Sequence, residues 1–242
     1  MWREVIELSR PKNVVLAALT VPLGAHLSLG DAWDSQAIGL VALQTTSVMC
    51  FIAAGNTFND ISDFSIDKVS KPGKPLPSER ISISVAKRTG ISFSLISLVL
   101  MISGIFLVEE PIPMIAIWVA AAFLMSTYDF GPKTKNFGLL GNIAISLMVG
   151  AVIVYGAASV SNIATPLVIY AAVVAFFANL AREIVKDCED IDTDEGRKTL
   201  PMRIGLMNAR AIAYVFVLLS MVVLGLAHLY GPFEYHHILF HG

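Results

Sequence analysis

The sequence contains few charged residues. Only 15% of its 242 residues are Asp, Glu, Lys or Arg, whereas soluble domains carry about 25%. Hydrophobic residues make up 55%, and the mean hydropathy is +0.70. The apolar runs are too long and too uniform for membrane β-strands, which alternate over about ten residues. The composition therefore predicts an all-α integral membrane protein.

Cysteine is equally scarce. The two thiols, Cys50 and Cys188, argue against a disulfide framework. Cys188 follows an apolar segment, among acidic residues on the predicted cytoplasmic side, where thiols stay reduced. No cleavable signal peptide is evident, and residues 1–10 are amphipathic, which is typical of an interfacial segment preceding the first membrane span.

Every second connection between the apolar segments of the chain contains no lysine or arginine. Seven apolar segments are each near the ~20 residues that a bilayer requires. All 17 basic residues lie before the first segment or in the connections 58–88, 129–137 and 182–210. The positive-inside rule then puts the N-terminus and the large loops in the cytoplasm and the C-terminus outside. The segments run roughly over 13–30, 37–57, 85–107, 112–128, 138–158, 163–182 and 208–230.

Carboxylates and amides follow the second apolar segment at helical spacing. On one continuous helix, five of these side chains share roughly 100° of one face, and such hard oxygen ligands suit Mg²⁺ with substrate phosphate. Lysines and Arg80 follow at once and could hold a diphosphate. The alternative is a solvated acidic helix end with a basic anchoring loop. The residues are Asn56, Asn59, Asp60, Asp63 and Asp67, then Lys68, Lys71 and Lys74.

Acidic residues at helical spacing also lie at the end of the sixth segment. We call this set the second acidic column and the set after the second segment the first acidic column. Glu183, Asp187, Asp190 and Asp194 share roughly 60° of one helix face. Like charges at this spacing repel and weaken a helix. We therefore expect a bound cation to neutralise them.

The two acidic regions are related by an offset of 124 residues. This offset pairs Asp63 with Asp187, Asn59 with Glu183 and Lys74 with Lys198, and it aligns two Leu-Pro dipeptides. Parallel repeats of this kind build a shared site at their interface. We predict one domain, residues 1–242, as a multi-helix transmembrane bundle. Two four-helix-type repeats, about 1–130 and 131–242, would face a central cavity with both acidic columns.

Three motifs resemble those of the UbiA superfamily of intramembrane prenyltransferases. Asn59-Asp60-x-x-Asp63-x-x-x-Asp67 and Asp187-x-x-Asp190-x-x-x-Asp194 are similar to its two aspartate-rich motifs, and Tyr128 to Lys133, followed by Gly141-Asn142, to its tyrosine–lysine motif. The resemblance implies nine helices, whereas seven are counted here. Two alternatives follow: the chain is a naturally short variant, or its second repeat is C-terminally incomplete. Strings around Asn56 and Arg182 most resemble archaeal ether-lipid enzymes, which implies geranylgeranyl transfer to geranylgeranylglyceryl phosphate.

The resemblance also implies roles for individual residues. Asp63 and Asp187 would lie at the centre of catalysis, Asp60 would take the acceptor's proton, and Arg10 and Asn56 would bind the acceptor. Mg²⁺ would be held by Asn59, Asp63, Asp67, Asp187, Asp190 and Asp194. The diphosphate would be bound by Lys74, Arg80, Tyr128, Lys133 and Lys198.

Two other functions fit the same sequence. One is a polyprenyltransferase of the superfamily with an aromatic acceptor, and the other is a non-enzymatic carrier of a lipid phosphate or cation. Ionisable residues cluster at one cytoplasmic level, which favours an enzyme over a carrier. The partners that the resemblance implies are a polyprenyl diphosphate and a lipid-phosphate acceptor in the bilayer. We expect no nucleic-acid partner, and the oligomeric state is not predicted. Candidate residues lining the prenyl tail are Phe51, Phe58, Phe123, Met125, Met148 and Phe177.

Overall fold

The computed structural model describes residues 2–161, 163, 165–192 and 198–230. In this part of the chain all regular structure is helical, with one 3₁₀ turn, Thr134–Phe137. The α-helices are α1 Trp2–Ser9, α2 Pro11–Leu29, α3 Ser35–Ser62, α4 Phe64–Ser70, α5 Ile83–Ile105, α6 Pro111–Asp129, α7 Leu139–Ala158, α8 Pro166–Glu189, α9 Leu200–Ile204 and α10 Leu206–Tyr230.

Seven of these helices are long and apolar enough to cross a membrane: α2, α3, α5, α6, α7, α8 and α10. The predicted number of spans within the described residues is therefore confirmed. Local signals begin several of them. Proline occupies the first turn of α2, α6 and α8, where its missing N–H costs nothing. Asp34 caps α3 by accepting a hydrogen bond from the Ala37 N–H at 2.7 Å.

The bundle core joins α2, α3, α6 and α7. Val21, Val48, Met114 and Tyr155 are buried against one another in it. Helix α3 also packs along α5, and α8 along α10. These two helix pairs occupy corresponding places in the predicted repeats, and the repeat itself stays a prediction.

The first acidic stretch is two helices rather than one. Helix α3 ends at Ser62, Asp63 lies between the helices with φ −92° and ψ 6°, and α4 begins at Phe64. The Asp63 N–H still donates to the Asn59 carbonyl and the Asp67 N–H to that of Asp63. The side chains of Asp60, Asp63 and Asp67 are all buried around this junction between α3 and α4.

Candidate active site

Four buried aspartates form the centre of the site. Asp60, Asp63, Asp67 and Asp129 are each less than a tenth exposed. Carboxylates are costly to bury unless cations and hydrogen bonds compensate them. The site therefore depends on the cations that reach these four groups.

Lys74 bridges two of the aspartates. Its Nζ lies 3.0 Å from Asp60 Oδ1 and 2.7 Å from Asp67 Oδ2. The loop between α4 and α5 delivers this lysine, and Leu76, two residues later, is buried beside Leu8 and Ile81. Lys74, predicted as a diphosphate ligand, thus lies at the first aspartate cluster.

Lys135 bridges the other two aspartates. Its Nζ lies 2.7 Å from Asp63 Oδ1 and 2.9 Å from Asp129 Oδ1, and it donates to Ser62 Oγ at 3.1 Å. Its side chain is only 3% exposed. Because a buried ammonium needs this many acceptors, Lys135 is an integral part of the cluster.

Sequence reasoning missed Lys135 and Asp129. It selected Lys133, whose side chain is exposed and whose backbone has φ +50° at the start of the 3₁₀ turn. The 3₁₀ turn places the side chain of Lys135, and not that of Lys133, in the protein interior. The sequence did contain a signal for these two residues. Asp129 directly follows an apolar segment, and two lysines come four and six residues after it.

Arg10 and Asn59 connect the two lysine-bridged pairs. Arg10 Nη2 donates to Asp60 Oδ1 at 2.6 Å and to Asn59 Oδ1 at 2.9 Å. The Asn59 amide in turn donates to Asp129 Oδ1 at 2.8 Å. A continuous network therefore joins three cations to four carboxylates, and we call it the aspartate network.

Asn56 lies between the network and the N-terminal helix. Its Nδ2 donates to the Ser9 carbonyl at 2.8 Å, and its Oδ1 accepts a hydrogen bond from Asn13 at 3.4 Å. Asn56 is thereby close to the chain segment that carries Arg10. The two residues predicted to bind the acceptor are neighbours.

Arg80 is paired outside the aspartate network. Its two terminal nitrogens bind Glu7 at 2.8 and 3.0 Å, and one of them also donates to the Gly73 carbonyl at 2.7 Å. The hydrogen bond to Glu7 raises the pKa of the Arg80 guanidinium. Arg80, predicted as a diphosphate ligand, thus has protein partners in the structure, and its side chain is 40% exposed.

The second acidic column approaches the same part of the molecule through α7. Asn142 Nδ2 donates to Asp187 Oδ2 at 2.8 Å. The buried carboxylate of Glu183 forms an ion pair with the exposed Arg182. Asp190 caps the end of α8 and is partly buried. Asp194 lies outside the described residues.

The remaining predicted diphosphate ligands flank the 3₁₀ turn. Tyr128 is half-buried directly before Asp129. The Lys198 side chain is exposed, and its backbone N–H donates to the Asn136 carbonyl at 3.4 Å. Gly138, at φ +61°, permits this approach, because an added Cβ would meet the Lys198 carbonyl at 2.7 Å.

An apolar cavity of about 330 Å³ lies between α3, α5 and α6. Three predicted tail-lining residues, Phe51, Phe58 and Met125, contribute to its wall. Phe123 instead points outward and is 67% exposed. Phe58 and Phe130, which form one end of the cavity, directly adjoin Asn59 and Asp129 in the chain.

Comparisons with known proteins identify the fold and family. The model of the UbiA prenyltransferase family matches residues 14–240. A digeranylgeranylglyceryl phosphate synthase from Methanococcus aeolicus is 33% identical over 230 residues, which cover 94% of this chain and 77% of that protein.

Two solved structures share the architecture. One is of digeranylgeranylglyceryl phosphate synthase, with a TM-score of 0.74 at 28% identity over 94% of this chain and 77% of that one. The other is of a UbiA homologue from Archaeoglobus fulgidus bound to GPP and Mg²⁺, also with a TM-score of 0.74, and it covers 93% of this chain and 78% of that one. Because its sequence identity is 20%, this likeness shows the fold alone. Because the family model covers most of the chain, this protein belongs to the UbiA prenyltransferase family.

Proposed function

We propose that this protein transfers a geranylgeranyl group from geranylgeranyl diphosphate to the hydroxyl of geranylgeranylglyceryl phosphate. The observation that carries the proposal is the buried aspartate network at the ends of α3 and α6, directly beside an apolar cavity. A prenyl diphosphate combines a strongly anionic head with an apolar tail and therefore needs both environments. The relatives named digeranylgeranylglyceryl phosphate synthase support this donor and acceptor.

The aspartates fit Mg²⁺. This ion takes one or two carboxylates together with substrate phosphate oxygens. Asp60 and Asp67 converge on one ammonium, as do Asp63 and Asp129, so each pair has two oxygens around a single cation position.

From the sequence motifs we propose that Asn59, Asp63 and Asp67 would hold Mg²⁺ together with Asp187, Asp190 and Asp194, the last of which lies outside the described residues. In the structure Asp67 is bound by Lys74 and Asp63 by Lys135. When bound, Mg²⁺ supplies Lewis-acid stabilisation of the leaving diphosphate. Lys74 and Lys135 neutralise the charge that develops as the allylic C–O bond breaks and diphosphate departs with the electron pair.

Acceptor binding falls to Arg10 and Asn56. The Arg10 side chain is 36% exposed, and a guanidinium carries several donors, so we propose that Arg10 can also bind the acceptor's phosphate. The acceptor hydroxyl oxygen forms the new bond to the allylic carbon and gives its proton to a carboxylate, for which we propose Asp60. Phe51, Phe58 and Met125 would enclose part of the prenyl tail.

The test uses purified protein in liposomes with labelled geranylgeranyl diphosphate and Mg²⁺. One reaction contains geranylgeranylglyceryl phosphate and the other 4-hydroxybenzoate. We expect product with the glyceryl phosphate alone, and its loss with a chelator. Asp63→Asn and Asp187→Asn should each lower kcat by about 10²-fold or more, the scale of a lost electrostatic contact to a transition state. Asp31→Asn, exposed beyond the other end of α2, is the matched control.

The alternatives predict different products. Product with the aromatic acid alone would replace the acceptor and keep the donor chemistry. Absence of diphosphate release with either acceptor, while labelled donor still binds, would favour a non-enzymatic carrier.

A further inference from the structure

Helix α1 is attached to the active site through its last turn. Leu8 is fully buried against Leu76 and Ile81 of the loop between α4 and α5. The opposite side of α1 exposes Trp2 and Ile6. The inner face of this short helix therefore rests on the loop that also carries Lys74 and Arg80.

Arg10 directly follows α1 in a conformation that requires support. Its φ of +52° is left-handed, a conformation that is strained for a residue other than glycine. The Ser9 carbonyl is held by Asn56 at 2.8 Å. Because the left-handed residue joins α1 to α2, its side chain direction depends on where α1 is docked.

Arg80 fastens α1 to the loop. Two parallel N–H···O contacts join its guanidinium to the Glu7 carboxylate at 2.8 and 3.0 Å. Such bidentate pairs fix orientation as well as distance. Arg80 Nη2 also donates to the Gly73 carbonyl at 2.7 Å, immediately before Lys74, and Nε donates to Ser78 Oγ at 3.0 Å.

We propose that Arg80 is a positioning residue, which fixes Arg10 through Glu7 and Lys74 through the Gly73 carbonyl. Both held cations meet at the same atom, Asp60 Oδ1, from 2.6 and 3.0 Å. Arg80 thereby orients the residue assigned to the acceptor and one of those assigned to the diphosphate. This inference rests on the proposed function for the identity of the two substrates.

Kinetic constants of variants separate the two contacts of Arg80. We call its contact with Glu7 the α1 arm and its contact with the Gly73 carbonyl the loop arm. Glu7→Gln removes only the α1 arm, so we expect the acceptor KM to rise about fivefold, the scale of one ion pair, with the donor KM and kcat nearly unchanged. Arg80→Gln removes both arms and should raise both KM values. Lys87→Gln, an exposed lysine at the start of α5, should change neither.

Charge reversal adds a readout that a purely structural role would not give. In Glu7→Arg/Arg80→Glu the ion pair is restored, but a carboxylate cannot donate to the Gly73 carbonyl. We expect the acceptor KM to recover toward wild type while the donor KM stays at the Arg80→Gln level. An unchanged acceptor KM in Glu7→Gln, with no recovery in the reversed pair, would overturn the proposal and favour direct diphosphate binding by Arg80.

A second measurement does not require activity. In a Cys50→Ser/Cys188→Ser background, the buried Leu8→Cys thiol should react with a maleimide severalfold faster when Glu7→Gln or Arg80→Gln is added, and slower again in the reversed pair. Equal rates in all backgrounds would show that the ion pair does not hold α1. If wild-type protein forms no product while these rates follow the expected order, the proposed function fails and the attachment of α1 by Arg80 stands.

Discussion

Lys135 has the most consequential contacts of any single side chain in the site. It neutralises Asp63 and Asp129 at once while being almost completely enclosed. Removing one partner of a buried ion pair leaves the others uncompensated, which costs about 3–5 kcal/mol. We proposed that the same ammonium neutralises the leaving diphosphate, so we expect its loss to affect stability and catalysis together.

We predict that Lys135→Met lowers kcat by about 10²-fold or more and lowers the thermal unfolding temperature in detergent. Lys133→Met, two residues away and exposed, is the matched control and should leave both near wild type. Activity assays and thermal scans of the two variants provide the measurement. A larger loss in the Lys133 variant would return the role to the residue that the sequence motif indicates.

At the scale of the helices, α2 and α7 contact each other closely through small residues. Gly24 of α2 and Gly156 of α7 lie against each other's helices, since an added Cβ at Gly24 would meet the Ile153 carbonyl and one at Gly156 the Val21 carbonyl. Membrane helices associate through such small residues, because lipid supplies no hydrophobic force between them. This crossing fixes α2, and with it Arg10, relative to the core.

We predict that Gly156→Val separates α2 from α7 and destabilises the bundle by about 1–3 kcal/mol, as overpacking does. Gly39→Ala, within α3 and with no atom within 4 Å of an added Cβ, is the matched control. Thermal unfolding in the same detergent compares them. Equal unfolding temperatures would contradict the tight crossing.

At the scale of the whole molecule, the basic residues define an orientation. The aspartate network lies at the end of the bundle to which all the described lysines and arginines belong by connectivity. A cytoplasmic location for this end is a prediction from the positive-inside rule. It would give the site access to a charged, water-soluble diphosphate head and to tails within the bilayer.

Single-cysteine labelling in intact cells tests this orientation. In the cysteine-free background, Asp31→Cys should react with an impermeant maleimide, whereas Lys71→Cys should react only after permeabilisation. Both positions are exposed in the structure, so protection reflects the membrane and not burial. The reverse pattern would invert the topology and move the site to the outer face.

The membrane class, the seven spans among the described residues and the location of the acidic residues at helix ends could all be predicted from the sequence. These features follow from local properties: the length of apolar runs, 3.6-residue periodicity and the partition of charge. The positions of Asp60, Asp63 and Asp67 were accessible for this reason, although the break in the helix at Asp63 was not.

Which cation contacts which carboxylate became known only from the folded structure. Lys135 contacts Ser62 across 73 residues of chain, and Arg80 contacts Glu7 across the same separation. Such contacts depend on how the 3₁₀ turn and α1 pack against the bundle, and no local pattern encodes that packing. Lys133 and Lys135 therefore looked equivalent in the sequence, whereas burial and three acceptors distinguish Lys135 in the folded protein.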